Sequence, residues 1–318
     1  MNNNLTMSKR VNIPISSIIK IILFCVCLGS GAVVIVMSRR ISDIIINTAV
    51  VTAKSVLPSL FPFLVISSFM ADSGVCSYLE IFPGKLLEKI AGIKKEVTGA
   101  VILGLVSSFP VGAVTVCDIY KRGSISKREA EAGLCQAHCT GPAFPICFIG
   151  IYLWNSVSFG VFVYLSQILS MLILSRLFLF KRTAGDGIKE LKSERQAYTR
   201  SLTGAITKAS FSSVTVLGAI VFWKTVSNLL SVFTPQVNAV ICAVLELSSG
   251  VISAEAVGGS IGAALTGFTV GFGGLAAMLQ AAGAASDCGL SIKKALFFKL
   301  GEGVLNALLT LTFYSIIK

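Results

Sequence analysis

Long apolar runs separated by short basic segments set the pattern of the chain. Predominantly apolar runs cover residues 13–37, 97–120, 159–180 and 202–233, and a last run ends near residue 317. A helix needs about 20 apolar residues to cross the hydrocarbon core of a bilayer, so these runs predict membrane-spanning helices. A transmembrane β-strand would alternate apolar and polar residues over about 10 positions, whereas these runs are continuously apolar. The pattern therefore predicts an all-α polytopic membrane protein.

Composition strengthens this prediction and narrows the function. Of the 318 residues, 54% are hydrophobic and 13% are charged, whereas a typical soluble domain has about 25% charged residues. This composition excludes a soluble enzyme, and the chain shows no nucleotide-binding loop, catalytic carboxylate pair or nucleophile elbow. The net charge of +12 comes mostly from Lys and Arg between the apolar runs. There they are expected to anchor cytoplasmic loops, so we predict a lipid bilayer and no nucleic acid as partner.

Charged segments divide the chain into regions. The densest basic cluster lies within residues 176–200 and predicts a cytoplasmic loop. We predict a tail and first transmembrane helix over residues 1–40, a first half over 41–180, a basic linker over 181–200 and a second half over 201–318. The first apolar run is longer than the core of roughly 7 to 15 residues found in a signal peptide, so we expect it to be a retained helix.

Glycine and proline interrupt several of the apolar runs. Pro58 and Pro62 predict two half-helices within residues 41–74, because proline removes a backbone donor and clashes with the preceding turn. Further interruptions lie at residues 107–112 and 140–142. Residues 236–292 contain many glycines and no Lys or Arg, which excludes simple spans. The sequence therefore predicts broken or re-entrant helices in both halves.

A weak internal similarity relates the two halves. Ala100-Val101-Ile102 precedes a serine-containing break, and Ala239-Val240-Ile241 precedes another. If residues 126–155 enter the membrane and return to the same side, three crossings separate the two copies and the repeat is inverted. If those residues cross the membrane, the repeat is parallel. The sequence leaves both arrangements open.

The breaks predict a binding site at mid-membrane. Non-helical backbone at membrane depth is tolerated only where protein buries it or where it lines a wet cavity, and broken helices in paired positions indicate a transporter's solute site. The candidate solute-binding residues are Ser107, Ser108, His138, Thr140, Gly141, Ser248, Ser249, Gly273 and Gln280. Glu246 is the candidate ligand of a coupling H⁺ or Na⁺, because an intramembrane carboxylate is costly and usually functional. The alternative is a Glu246 side chain satisfied by N–H groups at a helix tip.

One further cluster could bind a transition metal. Cys135, His138 and Cys139 have i, i+3 and i+4 spacing, which places them on one side of a helix. Sulfur and imidazole ligands suit such a metal, but no fourth ligand lies nearby in the sequence. We therefore predict no resident metal or other cofactor, and His138 is better explained by contact with solute or water.

Several of these motifs together resemble a known family. They are Leu57-Pro58-Ser59-Leu60-Phe61-Pro62-Phe63, Ser107-Ser108-Phe109-Pro110-Val111-Gly112-Ala113, Thr140-Gly141-Pro142-Ala143-Phe144, Leu245-Glu246-Leu247-Ser248-Ser249-Gly250 and Gly271-Phe272-Gly273-Gly274-Leu275 with Gln280. In this order they look like the nucleoside-recognition or Gate domain membrane proteins, most like the YlbJ-type sporulation integral membrane proteins. The chain departs from the family's Ser-Gly-Tyr-Pro at residues 107–110, which leaves the solute open.

The resemblance implies a fold similar to concentrative nucleoside transporters, with re-entrant hairpins meeting at mid-membrane. It also implies transport of dipicolinic acid, a small planar dicarboxylate, during spore formation. The location that the resemblance implies is a bacterial cell membrane, such as the outer membrane around the forespore. Other expectations stay open: a nucleoside or Fe(II) transporter, or a non-transporting scaffold or assembly factor of sporulation. A second copy of the chain, forming a homo-oligomer, is a further open expectation for a partner.

Overall fold

The computed structural model describes residues 15–72, 82–179, 198–229 and 234–317. It confirms the all-α prediction, since none of these residues forms a β-strand. In chain order the α-helices are α1 (Ile15–Val36), α2 (Ser38–Val51), α3 (Leu57–Asp72), α4 (Phe82–Ala91), α5 (Lys95–Ser107), α6 (Val111–Lys121), α7 (Lys127–Gln136), α8 (Val157–Leu174), α9 (Tyr198–Leu229), α10 (Pro235–Leu245), α11 (Leu247–Val257), α12 (Gly259–Phe272), α13 (Gly274–Ser286) and α14 (Lys293–Ile317). The predicted basic linker falls largely outside the described residues.

The chain is divided into two compact units, which comprise Met1–Ile46 and Asn47–Lys318. In the first unit, most of the first apolar run forms α1, and apolar side chains such as Phe24 and Val36 are exposed along it. Helix α2 runs across the boundary. The second unit contains the remaining helices and all the candidate solute-binding residues.

Four segments are long and apolar enough to cross a membrane within the part of the chain that the structure describes. They are Val157–Leu179, Leu202–Asn228, Gly259–Ser286 and Lys293–Ile316. Their length and composition establish a multi-pass integral membrane protein. The third of these segments comprises α12 and α13, which are separated by a break at Gly273.

The predicted break around Pro58 and Pro62 takes another form. Helix α3 continues through Pro62, and the interruption lies just before it, where residues Thr52–Val56 form a π-helical turn. A π turn widens the helix locally, which relieves the clash between the Pro58 ring and the preceding carbonyl groups. The two half-helices expected from the sequence are therefore replaced by a continuous but locally widened helical segment.

Helices α5 and α6 form a hairpin, which we call hairpin 1. An added Cβ at Gly112 on α6 would lie 2.9 Å from Gly104 Cα and 3.1 Å from the Ala100 carbonyl oxygen on α5. Residues this far apart in sequence touch only if the chain turns back after Ser108-Phe109-Pro110. Residues 97–120, expected to form one interrupted run, are therefore a re-entrant pair of short helices.

Helices α10 and α11 form the corresponding hairpin 2. An added Cβ at Gly250 on α11 would lie 2.7 Å from Ala243 Cα on α10, so the chain turns back at Glu246. Ala100-Val101-Ile102 lies in the first arm of hairpin 1, and Ala239-Val240-Ile241 lies in the first arm of hairpin 2. The weak sequence similarity thus marks equivalent helices.

An interrupted helix and a continuous helix follow each hairpin. After hairpin 1 come α7, the break at residues 137–143, the π-helix Phe144–Leu153 and then α8. After hairpin 2 come α12, the break at Gly273, α13 and then α14. The order is the same in both halves of the chain.

Contacts at the two ends of α14 show that the first interrupted helix crosses the membrane. Near the start of α14, Lys294 Nζ lies 2.6 Å from Glu131 Oε2 on α7. Near its end, the ring of Tyr314 lies 5.9 Å from that of Trp154, just after the π-helix. Helix α14 is about 37 Å long at 1.5 Å per residue, so residues 127–154 extend across the bilayer. The alternative in which this segment returns to the same side is wrong.

The two hairpins open on opposite faces of the protein. The first face, the basic face, contains the starts of α5, α7 and α14, joined by the Lys294–Glu131 pair and by Lys94 Nζ at 3.7 Å from Glu129 Oε1. On the other face, near the start of α12, an added Cβ at Gly262 would lie 3.4 Å from the Trp154 ring. Three crossings separate the hairpins: residues 127–154, α8 and α9. Because three is odd, the repeat is inverted. The sequence-based expectation of a parallel repeat for a crossing segment counted residues 97–120 as one more crossing, whereas these residues return as hairpin 1.

Candidate functional site

A small cavity lies where the two hairpin tips meet the second interrupted helix. Its volume is about 60 Å³, room for a few water molecules, so a larger solute enters only when the lining elements move apart. Helix α9 forms the remaining wall with apolar side chains. The lining residues are Ser108, Phe109, Phe144, Val216, Ala219, Ile220, Glu246, Leu247, Ser248, Gly273, Ala276, Ala277 and Gln280.

Ser108 forms the tip of hairpin 1 in an unusual backbone conformation. Its φ is 78° and its ψ 176°, a region that residues other than glycine rarely adopt and that costs roughly 1–3 kcal/mol. The N-terminus of α6 follows at Pro110 without a side-chain cap. The first amides of α6 are therefore not taken up by a capping side chain next to the cavity.

Glu246 forms the tip of hairpin 2 and caps α11. Its Oε1 accepts from Ser248 N at 2.8 Å, and its Oε2 accepts from Ser249 N at 2.7 Å. Both carboxylate oxygens are thus satisfied by the helix tip that the residue begins, as in the alternative considered from the sequence. The side chain also lines the cavity. Each oxygen retains a lone pair that a bound solute or cation could use.

Gly273 breaks the second interrupted helix at the cavity wall. Gly273 and Gly274 have φ angles of 83° and 81°, which are favourable only for glycine. No side chain caps the N-terminus of α13, and Gln280 lies two turns further along this helix. The cavity is therefore bordered by two N-termini without a side-chain cap, those of α6 and α13, and by one capped by a carboxylate.

The break in the first interrupted helix is held from behind by α8. Gln167 Nε2 donates to the Thr140 carbonyl oxygen at 3.1 Å, and the Thr140 hydroxyl donates to Gln167 Oε1. Gly141 packs under hairpin 1, where an added Cβ would lie 2.6 Å from the Val106 carbonyl oxygen and 3.1 Å from Ser108 N. Thr140 and Gly141 therefore support the hairpin tip and do not line the cavity.

His138 lies one layer behind the cavity wall. It is buried, and its ring centroid is 4.4 Å from that of Phe109. Its Nε2 is 3.6 Å from the position that a Cβ on Gly273 would occupy. Neither ring nitrogen has a hydrogen-bond partner among the residues that the structure describes.

The structure brings the candidate residues predicted from the sequence into one region. Ser108, Ser248, Gly273, Gln280 and Glu246 line the cavity. The others lie next to lining residues: Ser107, His138, Thr140, Gly141 and Ser249. Ser107 is buried with no hydrogen-bond partner for its hydroxyl among the described residues.

Sequence reasoning missed three buried polar residues near this region. Gln167 supports Thr140, and Lys299 and Glu302 form a fully buried ion pair on α14. The available signal was polar side chains at intervals of three and four along an apolar run, at residues 299, 302, 306 and 310. Proximity to Lys293 and Lys294 made Lys299 resemble a membrane-surface anchor.

The cysteines beside His138 make local contacts. Cys135 Sγ donates to the Glu131 carbonyl oxygen, and Cys139 Sγ donates to the Gln136 carbonyl oxygen. No cluster of three His, Cys, Asp or Glu side chains with metal-binding geometry occurs within the described ranges.

Comparisons with known proteins give no relative for this chain: no family model, no curated protein and no solved structure matches it.

Proposed function

We propose that this protein transports a small polar solute across a membrane. The observation that carries the proposal is the meeting of two re-entrant hairpins and a broken helix around one cavity lined by Glu246, Ser248, Ser108 and Gln280. Broken helices in paired positions of an inverted repeat are a feature of secondary transporters. Such a repeat supports alternating access, because each hairpin can expose the site to the face on which it opens.

The cavity chemistry favours a solute that offers both donors and acceptors of hydrogen bonds. Glu246 and the Gln280 carbonyl accept, whereas the uncapped tips of α6 and α13 donate. None of the cavity-lining residues is Lys or Arg. A neutral solute rich in hydroxyl and amide groups, such as a nucleoside, therefore suits these groups directly.

Dipicolinate, the solute implied by the resemblance, needs an additional partner. Its two carboxylates would meet the Glu246 carboxylate, and like charges in a low-dielectric site repel strongly. A proton or Na⁺ bound between Glu246 and the solute would offset this repulsion. In this case Glu246 is the coupling site, as the sequence suggested, and uptake of dipicolinate depends on the cation.

The distribution of charge gives the expected orientation. The basic face carries Lys94, Lys95, Lys121, Arg122, Lys127, Arg128, Lys293 and Lys294 at helix ends and loops. The opposite loops around Trp154 and Gly258 carry few charges. By the positive-inside rule, hairpin 1 opens to the cytoplasm. In cells, cysteines placed at Gly123 and Asn155 should react with a membrane-impermeant thiol reagent from opposite sides, and reaction from the same side would reject the inverted arrangement.

Uptake into proteoliposomes tests the proposed transport. Dipicolinate, uridine and Fe(II) are compared side by side, with and without gradients of H⁺ and Na⁺. We expect saturable uptake of uridine, or of dipicolinate with a cation gradient. No uptake of the three solutes by protein shown to be folded would favour the scaffold alternative.

Glu246→Gln is the informative variant, and Glu255→Gln is its matched control on the same helix. Loss of one charged hydrogen-bond partner should reduce uptake by about tenfold or more, and should remove the cation dependence of dipicolinate uptake. Glu255 is exposed near the other end of α11, so its variant should behave like the parent protein. Unchanged uptake in Glu246→Gln would restrict Glu246 to its capping role.

A further inference from the structure

A buried polar stripe runs along one side of α14. Its four members are all fully buried: Lys299, Glu302, Asn306 and Thr310. The intervals of three and four residues place them on one side of the helix. This side packs against α12, where an added Cβ at Gly271 would lie 2.8 Å from the Glu302 carbonyl oxygen. The stripe therefore lies inside the protein, within a helix that crosses the membrane.

Lys299 and Glu302 form an ion pair at the basic end of this stripe. Lys299 Nζ lies 2.7 Å from Glu302 Oε1, and both side chains are 0% exposed. Neither charged group has another hydrogen-bond partner among the residues that the structure describes. This differs from Glu246, whose two oxygens each accept an amide N–H. Intramembrane ionisable pairs of this kind are rare and often mark proton relays.

The elements around the pair bring few other titratable groups. Helix α7 and the residues after it contribute Cys135, His138 and Cys139, all buried. Towards the basic face lies the Lys294–Glu131 pair. Helix α12 has no titratable side chain. The one on α8, Tyr164, donates to the Leu105 carbonyl oxygen.

His138 connects this pair to the solute cavity. One side of its ring lies against Phe109, which lines the cavity, and its Nε2 lies close to Gly273. Gly271, two residues before Gly273, packs against the Glu302 carbonyl oxygen on α14, so the same end of α12 adjoins both His138 and the ion pair. With both ring nitrogens unpartnered by any described residue, the imidazole can accept a proton at one nitrogen and release one from the other.

We propose that Glu302, held by Lys299, takes up and releases a proton that drives transport, separate from the cation that Glu246 binds beside the solute, and that His138 passes this proton between the cavity and the ion pair. The inference rests on the transport function proposed above. In the uptake step the Glu302 carboxylate gains one proton while Lys299 remains an ammonium, so the net charge of the pair rises from zero to +1. Release of the same proton restores the ion pair.

Proton binding can be measured without any solute. Infrared difference spectra of the protein in lipid, recorded between neutral and mildly acidic pH, should show the C=O band of a protonated buried carboxylic acid in addition to the bands of exposed carboxylates. We expect this additional band to be absent from the double variant Lys299→Met/Glu302→Leu, which removes both charges, and present in Glu246→Gln. Equal C=O band intensity in the parent protein and the double variant would overturn the proposal.

Coupling is measured by comparing counterflow, which exchanges labelled for unlabelled solute without an ion gradient, with accumulation driven by a pH gradient. Dipicolinate and uridine are the probes. Because a single substitution leaves a buried charge unpaired and can prevent folding, the main variant is the double change Lys299→Met/Glu302→Leu. It should retain counterflow within about twofold of the parent but lose accumulation driven by a pH gradient by about tenfold or more. The matched control, Lys294→Met/Glu131→Gln, removes the pair at the basic face and should retain both. His138→Gln should slow the gradient-driven accumulation and spare counterflow.

The outcomes separate this proposal from the transport function itself. If the double variant shows both counterflow and gradient-driven accumulation at the parent's level, the pair is purely structural. The proposed transport function is then unaffected. Counterflow without any pH-gradient dependence in the parent would reject proton coupling alone. Absence of counterflow for both solutes would reject the proposed function and the coupling role together.

Discussion

The two hairpins share a backbone plan and differ in chemistry. Both consist of two short helices that pack through glycine, Gly104 with Gly112 in hairpin 1 and Gly250 with Ala243 in hairpin 2. Hairpin 1 turns at Ser108, in a strained conformation without a side-chain cap on α6. Hairpin 2 turns at Glu246, whose carboxylate caps α11. An inverted repeat can thus keep its geometry while only one copy acquires a charge.

The same contrast continues behind each hairpin. The helix that follows the first interrupted helix, α8, supports the break at Thr140 through the neutral side chain of Gln167. The equivalent helix of the second half, α14, carries the buried Lys299–Glu302 pair, and Asn306 Nδ2 donates to the Gly267 carbonyl oxygen. The first half therefore supports its break with a neutral side chain, and the second half contains the buried charged groups.

The largest expected effect comes from disrupting the close packing at glycine that both hairpins share. In Gly112→Ala the new Cβ would lie 2.1 Å from the Ala137 carbonyl oxygen. Backbone would have to move, so we expect a loss of about 3 kcal/mol or more in stability. Thermal unfolding in detergent measures the effect. Gly218→Ala is the control, because no atom lies within 4 Å of its added Cβ and the change should be neutral or slightly stabilising. Equal behaviour of the two variants would contradict the close approach of α6 to residue 137.

A smaller effect should come from removing the cap that only hairpin 2 possesses. Glu246→Ala eliminates two buried hydrogen bonds to Ser248 N and Ser249 N, and we expect a loss of about 2 kcal/mol. Chemical denaturation of the purified protein measures it. The matched change in hairpin 1, Ser108→Ala, removes no capping bond and should cost much less. A similar cost in both hairpins would show that the tips are not held differently.

The smallest effect is expected to be a gain in stability at the tip of hairpin 1. Ser108→Gly keeps the φ of 78° but removes the steric strain of a side chain there. We expect a stabilisation of about 1 kcal/mol, visible as a higher unfolding temperature. The reverse exchange at another glycine, Gly133→Ser, cannot serve as the control, because Val97 and Val116 crowd that position. A lower unfolding temperature for Ser108→Gly would indicate that the Ser108 hydroxyl contributes more than its backbone costs.

Local sequence chemistry predicted where the helices break. Proline at position 110 and glycine at positions 273 and 274 interrupt regular hydrogen bonding through their own geometry, whereas α3 continues through Pro62, so proline alone does not decide a break. Glu246 and Gln280 stood out because polar side chains are rare in apolar runs. Gln167, Lys299 and Glu302 were missed because their burial depends on how α8 and α14 pack against the interrupted helices, which no local pattern reports.

The sequence by itself determined the class of this protein: a bundle of apolar helices in a membrane, interrupted at defined points. The tertiary structure decided what the chain does after each interruption. It made residues 95–121 a returning hairpin and residues 127–154 a crossing, which inverts the repeat. The physical reason is that a break in a helix allows the chain to change direction but does not determine the new direction. The new direction is set by long-range contacts, such as those of Lys294 with Glu131 and of Tyr314 with Trp154.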